Sequence, residues 1–189
     1  GPYLRIAGHD ITLTIAGQRL TADIAIEKIT TPTGPLMRLA ATNVSLALGD
    51  GTRNFLTLTG GQALLVTRGT GIAARVSGDF ALTGIPGVTL TGNLALELNT
   101  TGTDIDQTFT INGTTTTLTL SAGISVRVRG TGVSLGIAGQ TLTGDITITK
   151  SLTPVPSLRV DVANGSLSLG SPNAPLVRAT GVTGSVVLL

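Results

Sequence analysis

The sequence predicts an all-β chain, an elongated repetitive array of antiparallel hairpins. It would be two-layered in the manner of a β-solenoid or sandwich, with no significant helix. Three observations predict this. Thr occurs 33 times and Gly 26 times while Trp and Cys are absent, so strand formers and turn formers dominate the composition. Apolar and polar residues alternate at period two in successive short runs, the pattern of a half-buried strand. A long stretch of the chain is also written twice.

The repetition organises everything else. Arg5–Lys28 lies over Arg127–Lys150 without a gap, with 13 identities in 24 positions. After a one-residue slip "MRLAATNVSLALG" (Met37–Gly49) lies over "LRVDVANGSLSLG" (Leu158–Gly170), and Thr59-Gly60 over Thr180-Gly181, a period of about 121–122 residues. A weaker half-period is carried by Arg68–Gly71 against Arg129–Gly132, 61 residues apart, and by "GVTLTGNLAL" against "GQTLTGDITI", the middle copy holding about nine extra residues around "FALTGIPG". The chain therefore reads as three related units, 1–65, 66–126 and 127–189. One and a half long repeats imply a longer array. The opening "GP" reads either as a protease scar or as native sequence, since on the repeat register "GPYLRI" matches "GISVRV".

Each element follows from its pattern. In "ITLTIAG", Ile11, Leu13 and Ile15 share one face and Thr12, Thr14 and Ala16 the other. Ala16-Gly17 then reverses the chain. In "LTADIAIE", Leu20, Ala22, Ile24 and Ile26 face the core while Thr21, Asp23, Ala25 and Glu27 face out. Asp50-Gly51, Pro86-Gly87, Ala138-Gly139 and Asn164-Gly165 mark further reversals, and Asn112-Gly113 inside "FTINGTTTTLTL" is the strongest hairpin signal, because a two-residue turn needs positive φ. The looser stretches are "ITTPTGP", "NTTGTDIDQ", "SLTPVP" and "GSPNAP", those around Pro32 and Pro154 being copies of one loop. Strands with one apolar face must bury it against another layer or the next coil. An array cut within a repeat leaves strand edges with unpaired N–H and C=O groups.

Charge is sparse, with 12 basic and 10 acidic residues. Nucleic-acid binding calls for a basic cluster with stacking aromatics, and neither is present. Without Cys there is no disulfide and no thiolate metal site. No signal peptide is visible, and no run approaches the roughly 18 apolar residues of a membrane helix.

Candidate chemistry is thin. His9 is the single histidine, its repeat partner is Thr131, and a Ser-His-Asp arrangement would have to use it; a surface turn residue is the simpler reading. Acidic residues recur at Asp23, Asp50, Asp79 and Asp145, with Asn93 in a matching place, and turn closure by side-chain hydrogen bonds accounts for them. Calcium needs six to eight oxygen ligands, and the best place for it is "DIDQ", with Asp104 and Asp106. Neither a calcium β-roll pattern nor an EF-hand loop occurs. Arg5 with Arg127, Arg38 with Arg159 and Arg68 with Arg129 form a regular series. It suits strand capping and ion pairing, or else a stripe for acidic polysaccharide. The Thr row of "TTTTLTL" is too irregular in spacing along the chain to order ice. "RGTG" is not a phosphate loop, since no Lys-Ser/Thr and no helix follow it.

With the repeats laid out, "GTGVSLGIAGQTLTGDITI", "NVSLALGDGT" and "LNTTGTDIDQTFTINGTTTTLTLSAG" resemble the repeat region of very large bacterial extracellular proteins. Some of these carry an N-terminal LEPR-XLL motif. The resemblance covers most of the chain. It implies a secreted or cell-surface giant whose repeats serve as stalk, matrix or adhesive fibre. Residues carry over as scaffold: Gly8 and Gly130, Gly17 and Gly139, Leu20 and Leu142, Ile24 and Ile146. His9-Asp10 departs from the usual Thr-Gly at its turn. The expected function is thus a structural repeat segment, not an enzyme and without a cofactor, pairing with neighbouring copies of itself through edge strands. The rival expectation is a glycan- or calcium-binding adhesive module.

Overall fold

The computed structural model describes residues 3–15, 17–31, 34–152, 155–171 and 174–188. Twelve antiparallel strands run through them: β1 (Tyr3–Ile15), β2 (Gln18–Thr31), β3 (Gly34–Gly49), β4 (Asn54–Arg68), β5 (Gly71–Ile85), β6 (Val88–Asn99), β7 (Ile105–Ile111), β8 (Thr114–Leu120), β9 (Ile124–Ile137), β10 (Gln140–Ser151), β11 (Ser157–Ser171) and β12 (Ala174–Leu188). Ten of them form one meandering sheet in the order β1-β2-β3-β4-β5-β6-β9-β10-β11-β12, and β7-β8 form a separate hairpin. The all-β hairpin array is therefore present, and no helix occurs among the described residues. Its second layer is confined to the β7–β8 hairpin, which grows out of the β6–β9 connection and rests against β2, β3, β5 and β6.

The turns are where positive φ is available. Asn112-Gly113 (φ 49 and 78) joins β7 to β8, and Ala138-Gly139 (φ 49 and 82) joins β9 to β10; both dipeptides suit the tight hairpin that matches strand twist. Asp50 closes the β3–β4 turn by accepting from the Thr52 and Arg53 amides, each at 2.8 Å. Asn164-Gly165 is different. It lies inside β11, not at a reversal. Arg68–Gly71 forms the β4–β5 turn while Arg129–Gly132 lies within β9, so these two matching tetrapeptides have different structures. Ala16, Pro32 and Pro154 lie outside the described residues.

Six strands carry a one-residue bulge near mid-length. In each, one residue adopts left-handed φ: Asp10 (51) in β1, Asn43 (53) in β3, Gly60 (58) in β4, Gly132 (59) in β9, Asn164 (54) in β11 and Gly181 (66) in β12. A bulge sets two residues against one and bends its strand. In β1 and β9 the aliphatic residue just beyond the bulge folds back over a glycine of its own strand. A Cβ on Gly8 would stand 2.6 Å from Ile11 Cδ1, and one on Gly130 would stand 2.5 Å from Val133 Cγ2. That is why "G-x-x-I" at Gly8 recurs as "G-x-x-V" at Gly130.

The sheet has two unlike faces. Alternation along β2, β5, β6 and β10 puts Asp23, Ala25, Glu27, Arg75, Asp79, Asn93, Glu97, Asp145 and Thr147 on one side, here called the polar face. Leu20, Ile24, Ile26, Val76, Leu96, Ile146 and Ile148 stand on the other, the apolar face. The hairpin lies on the polar face, where β2 to β5 offer small or aliphatic residues. Ala25, Ala40, Leu64, Val66 and Ala73 meet Ile105, Phe109, Ile111, Leu118 and Leu120 there. This is the buried core, with Val66 and Leu118 fully buried. In the second copy the positions over Ala25, Ala40 and Leu64 are Thr147, Asp161 and Ser185, so that half of the polar face has no bed for a second hairpin.

Candidate functional site

The acidic residues that the sequence places at repeat-equivalent positions sit on the polar face beside the bulges. Asp23 is buried between the bulges of β1 and β3. Its Oδ1 accepts the Asp10 amide at 2.8 Å and its Oδ2 accepts Asn43 Nδ2 at 2.7 Å. Asp145 does the same one repeat later, accepting the Gly132 amide at 2.8 Å and Asn164 Nδ2 at 2.7 Å. The backbone donor first, and the Asn amide second, hold both carboxyls below the usual carboxylate range. Asp79 accepts Asn93 Nδ2 at 3.0 Å in the middle of the sheet. Asp23 and Asp145 each cross-link three strands at a point where the bulge has broken the regular ladder, whereas Asp79 and Asn93 join two.

The first copy adds two groups to this motif. His9 Nδ1 lies 2.5 Å from Asp23 Oδ1, and His9 Nε2 lies 3.2 Å from Asp10 Oδ2. Asn112 Nδ2, at the tip of the hairpin, reaches His9 Nδ1 at 3.2 Å. His9, Asp10 and Asp23 thus form a cluster of potential metal ligands, which the sequence did not bring together because Asp23 is on the next strand. Both oxygens of Asp23 already accept donors, and the second copy keeps the same Asp145 geometry with Thr131 and Gly132 in place of His9 and Asp10. The carboxylate geometry is therefore scaffold. The imidazole is exposed, and among the described residues no serine or threonine hydroxyl hydrogen-bonds to it.

Asp104 accepts the Ala122 amide at 2.7 Å and closes the neck of the hairpin. Asp106 is exposed at the start of β7. Among the described residues they join no group of three potential metal ligands.

The arginines hold the hairpin and pair across strands. Glu27 stands opposite both Arg5 and Arg38 in register, with Nε to carboxylate distances of 3.6 and 3.5 Å. Arg5 and Arg38 also donate to the carbonyls of Thr110 and Thr108 on β7, and Arg75 donates to Thr117 on β8 at 3.0 Å. The guanidinium of Arg38 lies 4.8 Å from the centre of the Phe109 ring, a cation–π contact. Arg127 donates to buried Glu97 on β6, and Arg159 pairs with Asp161 at 2.8 Å. Arg5, Arg38 and Arg127 cross-link strands, whereas Arg159 pairs with Asp161 along its own strand. The arginines on β1, β3 and β5 also donate to backbone carbonyls of the hairpin.

A second repeated clamp escaped sequence reasoning. Gln18 donates to the Gly49 carbonyl at 2.8 Å and accepts the Gly49 amide at 2.7 Å. Gln140 does the same with Gly170, at 3.3 and 2.5 Å. The side-chain amide replaces a peptide group where the strand ends diverge. The recurrence of Gln beside each Ala-Gly turn was its only signal.

Two hollows remain. One, of about 440 Å³, is a shallow trough on the polar face, lined by Thr57, Thr59, Asp79, Thr91, Asn93 and Thr131 among others. The other, of about 300 Å³, lies on the apolar face among Leu90, Val133, Leu135, Leu142, Ile146 and Val162. The sequence matches no protein-family model, and neither curated proteins nor solved structures give a match.

Proposed function

We propose that this chain is a structural repeat segment of an extracellular bacterial fibre, stalk or adhesin, of the kind its wording resembles, and that its role is mechanical and not catalytic. One observation carries the reading. The groups that hold strands together recur from copy to copy: Asp23 with Asn43 returns as Asp145 with Asn164, and Gln18 with Gly49 as Gln140 with Gly170. The reactive exception, His9, does not recur. Repetition therefore preserves cross-links and lets chemistry vary.

Extension by strand pairing is supported by the edges. β1 is the repeat copy of β9, whose corresponding edge is taken by β6, and β12 is the copy of β4, whose corresponding edge is taken by β5. Both open edges thus have a paired precedent within the chain. Negative-stain electron microscopy at high concentration tests the reading. Rods or filaments support it, and isolated globules refute it. The trough bounded by Asp79 and Asn93 favours a second reading, a glycan-binding adhesive module, because Thr hydroxyls with one carboxylate and one amide suit sugar hydroxyls. Binding to a glycan array, lost on Asp79→Ala, would establish it.

A further inference from the structure

Among the described residues, no second layer covers the apolar face. Val76, Leu96, Val128, Ile148, Val160 and Val186 stand side by side across six consecutive strands of the sheet. Four of them are well exposed, Val76 at 42%, Leu96 at 49%, Ile148 at 38% and Val186 at 58%. The same face continues over β1 to β4 through Ile6, Ile26, Leu39 and Leu65. Soluble proteins rarely leave an apolar patch of more than a few hundred Å² uncovered. The β7–β8 hairpin is already committed to the opposite face, and its outer side is Asp106, Thr108, Thr110, Thr115, Thr117 and Thr119.

We propose that a second copy of this chain covers this face, the two ten-stranded sheets packing apolar face to apolar face as a β-sandwich. Ten strands about 4.8 Å apart, each near 13 residues at about 3.3 Å, give a footprint of roughly 1,900 Å². A stable pair needs about 800 Å² from each partner. The face has the anatomy of such an interface, an aliphatic centre with polar groups at its margins: Lys28 and Lys150 stand near one set of strand ends, Gln18 and Gln140 at the other. Its aliphatic rows run through both repeat copies, so the surface is alike in its two halves and suits a two-fold, self-complementary contact. This pairing is independent of filament growth through the edges.

Sedimentation velocity on the whole chain tests it, beside the variants Leu96→Glu and Val76→Glu. Both positions are solvent-exposed in the single chain, so the fold tolerates the charge. The wild type should sediment at twice the 19.0 kDa of one chain, and either variant as a single chain with an unchanged circular dichroism spectrum. The sequence has no cysteine, so Thr91→Cys on the polar side of β6 can carry one spin label without perturbing the contact. Face-to-face pairing puts the two labels within about 35 Å, given sheets about 10 Å apart, whereas edge-to-edge pairing puts them beyond about 40 Å. A monomer at all concentrations, a dimer indifferent to Leu96→Glu, or only the longer distance would each overturn the proposal.

Discussion

Asn164 sits in left-handed conformation in the middle of a strand and donates its side-chain amide to Asp145 on the neighbouring strand at 2.7 Å. The two facts are one device. The extra residue of the bulge lifts Asn164 out of the ladder, and the carboxylate recovers the hydrogen bonding that the ladder loses, taking the Gly132 amide on its other side. Asn is among the few non-glycine residues that tolerate this backbone region. Asn164→Gly should therefore lose only the amide contact. Asn164→Ala loses the contact and also carries the left-handed strain, about 1–2 kcal/mol. Urea midpoints should rank wild type above Gly above Ala; an Ala variant equal to Gly would mean that the bulge relaxes.

The same carboxylates contribute to the acid limit, together with Asp50 and Asp161. Asp23 and Asp145 titrate below the ordinary carboxylate range because backbone and Asn donors favour the charged form. Their stabilisation is complete above the ordinary value and is lost as pH falls through the depressed folded one. Melting temperature should fall on acidification below about pH 4, given an ordinary Asp value of about 3.9. Asp145→Asn should be less stable at neutral pH and show a shallower acid slope, since it no longer binds a proton on unfolding. A variant with the wild-type slope would remove Asp145 from the account.

Two identical dipeptides show what the sequence made legible. Asn112-Gly113 reads as a hairpin and is one. Asn164-Gly165 reads the same and is a bulge, because the residue that decides it, Asp145, lies 19 positions away on another strand. The faces of β2 were legible from alternation alone. The position of the hairpin was not, since apolar patterning points a second layer at Ile24 and Ile26, not at the Thr-bearing side. Its bed is made by Ala25, Ala40 and Ala73, whose small size leaves room for Phe109 and Leu118, and three alanines on three strands join only once the register is known. His9 and Asp23, the pair in contact, are separated in the sequence by a strand reversal.

The glutamine clamp makes a prediction of its own. Gln140→Ala removes two partly buried hydrogen bonds to Gly170 and should cost about 1–2 kcal/mol. Gln140→Glu keeps an acceptor for the Gly170 amide but sets a carboxylate against the Gly170 carbonyl. It should destabilise at least as much as Ala at neutral pH and recover on acidification. Chemical denaturation at two pH values separates these outcomes.

If the His9 cluster is scaffold, metal should not matter to the fold. A ligand that binds only the folded chain raises its stability by about 2.7 kcal/mol at a hundred times its dissociation constant. Melting curves in millimolar calcium and in chelator should superimpose. His9→Thr, which restores the residue of the second copy, should change stability by less than about 0.5 kcal/mol, the usual range for surface substitutions. A shift of many degrees with calcium, abolished by His9→Thr, would assign the cluster to the adhesive-module reading instead.

The hairpin should come away as a unit without taking the far half of the sheet with it. Leu118 is fully buried against Leu64, Val66 and the other residues of the core. Leu118→Ala leaves a cavity and should cost about 2–5 kcal/mol. That cost falls on β7 and β8 and on the parts of β2 to β5 beneath them, while none of the core residues described comes from β10 to β12. Hydrogen exchange on the variant should therefore show faster exchange over 100–122 and over the Ala25, Ala40 and Ala73 segments, with protection unchanged in 140–171. Arg38→Ala should act on the same region and more weakly, by removing the cation–π contact with Phe109 and the donor to the Thr108 carbonyl. Uniformly increased exchange across both repeat copies would show instead that the ten strands unfold as one cooperative body.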